Sequence, residues 1–82
     1  MIDSFANLIP LHVLRAGECG TVVDVLGPPE QVHRLQELGL RNGVDIEMVQ
    51  SGEPCIVRLF GQTLCFRADR LLRVVVRPTV AA

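Results

Sequence analysis

The chain contains no lysine, no tyrosine and no tryptophan. Without lysine it has no Walker-type phosphate loop, which needs a glycine-rich turn followed by lysine and serine or threonine. With Phe5, Phe60 and Phe66 as its only aromatics, it lacks the stacking platforms used to hold single-stranded nucleic acid or proline-rich peptides. Eight arginines face nine carboxylates for a formal net charge of −1, so the basic footprint of a nucleic-acid binder is missing and no such partner is expected. No apolar run approaches the ~20 residues of a membrane-spanning helix, and the chain is not expected to cross a bilayer. Its first residues, Met1-Ile2-Asp3-Ser4-Phe5, place no basic region ahead of an apolar one, so a cytoplasmic location is the expectation.

Cysteine is also scarce. Cys19, Cys55 and Cys65 are odd in number and show no CxxC spacing, which argues against a disulfide framework or a zinc ribbon. They read as reduced thiols serving as small hydrophobes. Nucleophilic catalysis would need one of them activated by a histidine, and the missing pairing of base and nucleophile leads us to expect no enzyme.

What the sequence does contain is one helical stretch among short strands. Eighty-two residues make a single small domain, with residues 1–7 loosely ordered, 8–78 forming the domain and 79–82 frayed. Val32, Leu35 and Leu38 recur at a spacing of three, which predicts a helix with that stripe buried. Pro29 suits its first turn and Glu30 complements the positive end of its dipole. Gly39 suits the left-handed position beyond the helix end, with Leu40 folding back onto Leu35 in a Schellman cap. Gly43, Gly52, Pro54 and Gly61 mark later turns.

Residues 19–26 form a β-branched run that predicts the first strand, closed by Gly27-Pro28-Pro29. Residues 44–48 alternate apolar and acidic side chains, which predicts a half-buried strand with Asp45 and Glu47 toward water. Residues 55–60, 63–67 and 72–77 read as three more, with a single helical turn at 68–71 and Pro78 as the stop. Residues 9–14 read as a short apolar approach. The expected fold is mainly β: a small five-stranded SH3-like barrel, closed so that no edge is exposed, with one short α-helix inserted after the first strand.

With these elements in place the chain resembles the FeoA family of small SH3-like barrels. The most specific stretch is Arg34-Leu35-Gln36-Glu37-Leu38-Gly39-Leu40-Arg41-Asn42-Gly43, which resembles the family signature of arginine-leucine, two variable positions, leucine-glycine, an apolar residue, two spacers and glycine. Leu11 to Glu18, Val22 to Gly27, Gly52-Glu53-Pro54 and Gly61 to Arg67 resemble the remaining family segments in order. Asn42, where a proline is common, and Cys65, where an aliphatic residue is usual, are the departures. The resemblance implies a non-enzymatic cytosolic accessory of bacterial ferrous iron uptake that docks on the cytosolic G-protein region of the FeoB-type transporter. Because the same barrel occurs as a module of iron-dependent repressors, a metal-binding or metal-sensing module is the alternative.

For docking, the candidate residues are Arg34, Leu35, Leu38, Leu40 and Arg41. An appended helix leaves an apolar cleft against the sheet, and part of this leucine cluster rims it. His33 and Glu37, four apart on the exposed side of the helix, suit one metal ion, with His12, Asp45 or a cysteine as the third donor. The plainer reading of that pair is a solvated helix face. No cofactor is required, and iron or zinc is the transition metal such donors would take. The expected state is a monomer or weak homodimer.

Overall fold

A computed structural model describes residues 8–67 and 72–79. In chain order the elements are β1 (Ile9–Pro10), a 3-10 turn (Leu11–Val13), β2 (Cys19–Leu26), α1 (Pro29–Glu37), β3 (Asp45–Gln50), β4 (Cys55–Leu59), β5 (Gln62–Phe66) and β6 (Arg73–Thr79). The strands form one antiparallel sheet in the order β1-β6-β2-β3-β4-β5. The class is therefore mainly β with one short helix, but two details differ from the expectation. The sheet has six strands rather than five, and it is not closed into a barrel, since β1 and β5 stand at its two edges.

Pro10 accounts for the uncounted strand. A proline cannot donate to a ladder and so reads as a breaker, yet at a sheet edge that donor is not needed. Ile9 pairs with Val76 and Pro10 with Val75 on the outer side of β6. Proline also misleads in the last strand. β6 runs past Pro78 to Thr79, which pairs with Cys19, so Thr79 belongs to the ladder rather than to a frayed tail. β1 covers only Val75 and Val76, so beyond Val76 β6 is an edge on that side, where sheets tolerate proline. The helical turn expected at 68–71, and the segments 1–7 and 80–82, lie outside the described residues.

Alternation along the strands builds the core. Ile46 and Met48 of β3, Cys55, Val57 and Leu59 of β4, and Val74 and Val76 of β6 all point inward and are buried. In β2 the inward residues Val22 and Val25 are three apart because Val23 is bulged: Val22 pairs with Val76, and Asp24 with Val75. On the outer side, the Thr21 hydroxyl donates to Asp45 at 2.7 Å, and Arg58 pairs with Glu47 at 3.2 Å.

The helix is tied to this core at its C-terminal end. The Leu40 amide donates to the Leu35 carbonyl at 2.9 Å and the Gly39 amide to the Gln36 carbonyl at 3.0 Å, the two bonds of a Schellman cap. Leu35 is 4% exposed and Leu40 0%, so the cap carries the chain from one buried leucine to another. Gly39 stands at φ +108, and a Cβ there would meet Leu59 Cδ1 at 3.3 Å. Gly43, at φ +88, has open space around it. Gly39→Ala therefore combines the left-handed backbone cost with crowding of a core leucine, whereas Gly43→Ala carries the backbone cost alone. We expect urea denaturation to show Gly39→Ala destabilised by about 2 kcal/mol and Gly43→Ala by about 1 kcal/mol. Equal losses would contradict the close packing of Gly39 on β4.

Candidate functional site

At about 100° per residue, positions 31, 34 and 38 fall on one flank of α1 and positions 33, 36 and 37 on the opposite flank. Each flank borders a cavity. The same geometry explains a departure from the expected stripe. A spacing of three drifts by about 60° per step, so Val32, Leu35 and Leu38 spread over a third of the helix circumference. Leu35 in the middle faces the core, Val32 is half-buried, and Leu38, at the helix cap, is 52% exposed rather than buried.

The first cavity is a groove of about 410 Å³ between α1 and the end of β5. Gln31, Arg34, Leu35 and Leu38 form its helical side. Cys65, Phe66, Arg67 and Leu72 form the other. Leu35, Phe66 and Leu72 make an apolar floor, since Leu35 and Leu72 are buried and Phe66 packs against the core. Among the described residues the charged ones along the groove are the exposed Arg34 and Arg67, and neither has an ion-pair partner among them. Beyond Leu38 the apolar rim continues to Phe60, which is 75% exposed and whose ring lies 3.7 Å from where a Cβ on Gly39 would stand. Phe60 and Gly61 form the two-residue turn between β4 and β5, with φ of 51 and 73. A positive φ at a bulky residue is strained.

On the opposite flank lies a polar pocket of about 450 Å³, bordered by Asp24, His33, Gln36, Glu37, Arg41 and Asn42. His33 Nε2 and Glu37 Oε2 are 3.4 Å apart, and both side chains are largely exposed. The Arg41 Nε donates to the Gln36 carbonyl at 2.8 Å, so this side chain closes over the last helical turn. Among the described residues no three His, Cys, Asp or Glu side chains are grouped to hold a metal ion. His12 lies in the 3-10 turn, whose carbonyl accepts from the Ser51 hydroxyl, and is not grouped with His33 and Glu37. Two donors leave a tetrahedral ion two protein ligands short of a closed site.

Of the five residues expected at a partner surface, the structure brings Arg34, Leu35 and Leu38 to one groove. Leu40 is core, and Arg41 belongs to the polar pocket. The expected turn residues Gly39, Gly43, Gly52 and Gly61 stand at positive φ, and Pro54 accepts a hydrogen bond from the Gln50 side chain at 3.0 Å. Sequence reasoning passed over Asp24, Phe60 and Arg67. Phe60 had a visible signal, since an aromatic followed by glycine in a two-residue hairpin loop has no inward direction to take. Asp24 is placed by the bulge at Val23, which alternation alone does not reveal.

Among the cysteines, Cys55 is buried, whereas Cys19 and Cys65 are exposed and do not act as core hydrophobes. Register gives the reason for Cys65. It pairs with Ile56, one step out of phase with the inward pair Cys55 and Phe66.

An open antiparallel sheet carrying one capped helix, with the helix dividing a groove with an apolar floor from a pocket bordered by polar side chains, defines a small mainly-β domain of a recognisable kind. The model of the FeoA domain matches residues 9–78, and the chain belongs to that family. The family is one of small accessory domains tied to ferrous iron transport and is not a known enzyme family. Among solved structures the chain is similar to one described as an iron uptake regulatory protein (FeoA), with 26% identity and a TM-score of 0.73 over 88% of this chain and 99% of that one. No curated protein matches at a significant level. Among the described residues no helix is long and apolar enough to cross a membrane.

Burial, and secondarily the neighbouring Cys65, pushes the Cys55 thiol above its ordinary value. The folded chain therefore keeps this proton at a pH where the unfolded chain releases it. The resulting stability is fully present below the ordinary thiol value and is lost as pH rises through the raised one. We expect the urea midpoint to fall through this alkaline window and the fall to flatten in Cys55→Ala. A thiol reagent should label Cys19 and Cys65 rapidly and Cys55 only on unfolding, so rapid labelling of Cys55 in the folded chain would contradict the packing described.

Proposed function

We propose that this chain is a non-enzymatic, cytoplasmic accessory of bacterial ferrous iron uptake that docks on the cytosolic G-protein region of a FeoB-type transporter and regulates it by contact. The observation that carries this reading is the groove between α1 and β5. It is a cleft with an apolar floor and an exposed leucine at its rim, one side of which is formed by the arginine-leucine-x-x-leucine-glycine stretch. Such a cleft suits a protein partner, since it offers apolar contact area and two guanidinium groups and needs no cofactor for either.

Leu38 is the informative position for a test. Leu35→Asp would place a charge in the core and unfold the domain, whereas Leu38 is already half in water, so Leu38→Asp leaves the fold intact. We expect Leu38→Asp to retain the wild-type circular dichroism and melting temperature, to lose co-purification with the transporter, and to fail to support ferrous iron uptake in cells lacking the wild-type protein. A folded Leu38→Asp chain that binds and supports uptake normally would overturn the docking reading.

A second reading, a transition-metal module, draws on the His33–Glu37 pair at 3.4 Å and on Asp24 bordering the same pocket. It requires calorimetric titration with zinc or ferrous iron to show a one-to-one site that His33→Ala abolishes. Heat that survives His33→Ala, or none in the wild type, would remove this reading.

A further inference from the structure

The charges around the groove are one-sided. Arg34 on α1 and Arg67 after β5 both line the groove with its apolar floor, and among the described residues no carboxylate borders it and neither guanidinium has an ion-pair partner. This departs from the chain as a whole, whose formal charge is −1. The carboxylates of α1 lie elsewhere: Glu30 sits in its first turn, and Glu37 is paired with His33 on the opposite flank. The rim beyond, Leu38 and Phe60, is apolar and exposed.

We infer that the groove takes an acidic, apolar segment of a partner protein, with one or two large hydrophobic side chains seated between Leu38 and Phe66 and flanking carboxylates placed against Arg34 and Arg67. A guanidinium matches a carboxylate in a two-pronged geometry, so the two arginines at opposite edges fix the spacing and direction of the segment while the floor supplies the apolar contact. Phe60, held at a strained φ of 51 in the hairpin turn, extends the contact past the end of the helix. The inference rests on the docking reading above and adds the chemistry of the occupant. A neutral or basic segment would leave two cations facing an apolar ligand without compensation.

The test uses the full chain and two synthetic ten-residue peptides. Both carry the same leucine and phenylalanine anchors, one with glutamate and the other with lysine at the intervening positions. Fluorescence anisotropy should show binding of the glutamate peptide that weakens with added salt, and amide shifts in nuclear magnetic resonance spectra should map to Leu38, Cys65 and Phe66. The double variant Arg34→Glu, Arg67→Glu, altered only at exposed positions, should bind the glutamate peptide roughly tenfold or more weakly and should prefer the lysine peptide.

Equal binding of both peptides, shifts confined to another face, or self-association of the chain through these residues would each overturn the inference. Failure of the docking reading is read separately, because the peptides bind independently of any transporter. Acid-selective peptide binding without transporter capture would remove only the docking target, whereas transporter capture that is lost in Leu38→Asp but unchanged in the charge-reversed variant would remove only the acidic occupant.

Discussion

The turn that ends the helix sets the position of everything around it. In two residues the Schellman cap must satisfy the last helical carbonyls, reverse the chain and deliver Leu40 into the core, where its exposure is 0%. Only a residue without a side chain suits the pivot, because Gly39 combines a left-handed φ with close approach to Leu59. Leu35 and Leu40, five residues apart, then act as two fixed points that hold α1 against the sheet. With both fixed, the rotation of the helix about its axis is fixed as well, and so are the residues on its two flanks.

That rotation separates the chemistry of the two cavities. Had α1 been turned by one position so that Leu38 entered the core, Arg34 would have been driven in with it at a desolvation cost no small domain could absorb. As built, the flank with Arg34 and Leu38 meets β5, while the flank with His33 and Glu37 meets the bulged part of β2. The groove and the pocket are therefore consequences of one packing decision. The open sheet contributes as well, since β5 is an edge strand, and its last residues face the helix rather than another strand.

Much of this was legible in the sequence, and the remainder was hidden for identifiable physical reasons. Alternation located β2 through β6 to within one or two residues, and Pro29 and Gly39 bracketed α1. β1 was invisible because two residues carry no period and one of them is proline. Closure was also beyond reach, since pairing between the first and last strands of a sheet leaves no trace in either strand taken alone. At the site, the leucine-glycine pattern predicted the cap that joins Leu35 to Leu40, yet Leu40 was also expected at the partner surface and is core, and the drift of a three-residue spacing placed Leu38 outside the core. Arg67 escaped notice because the groove joins residues some thirty positions apart in the chain, and only the hairpin of β4 and β5 brings them together.

The composition of the groove runs against the stability of the isolated domain. Burying a leucine or phenylalanine contributes about 1.5–3 kcal/mol, and a domain of this size has a total stability of only about 5 kcal/mol. Yet Leu38 and Phe60 remain in water beside a buried core. Phe60 also holds a positive φ that glycine or asparagine would adopt at lower cost. Each choice alone would be an ordinary exception, since single exposed apolar residues are normal on protein surfaces. Leu38 and Phe60 both adjoin Gly39, next to a groove whose charged residues, among those described, are Arg34 and Arg67, so these unfavourable terms fall together on one surface. Val13, Leu26 and Val49 are exposed elsewhere, but among the described residues only the Leu38–Phe60 patch combines exposure with a positive φ at a bulky side chain, a combination that suits contact better than stability.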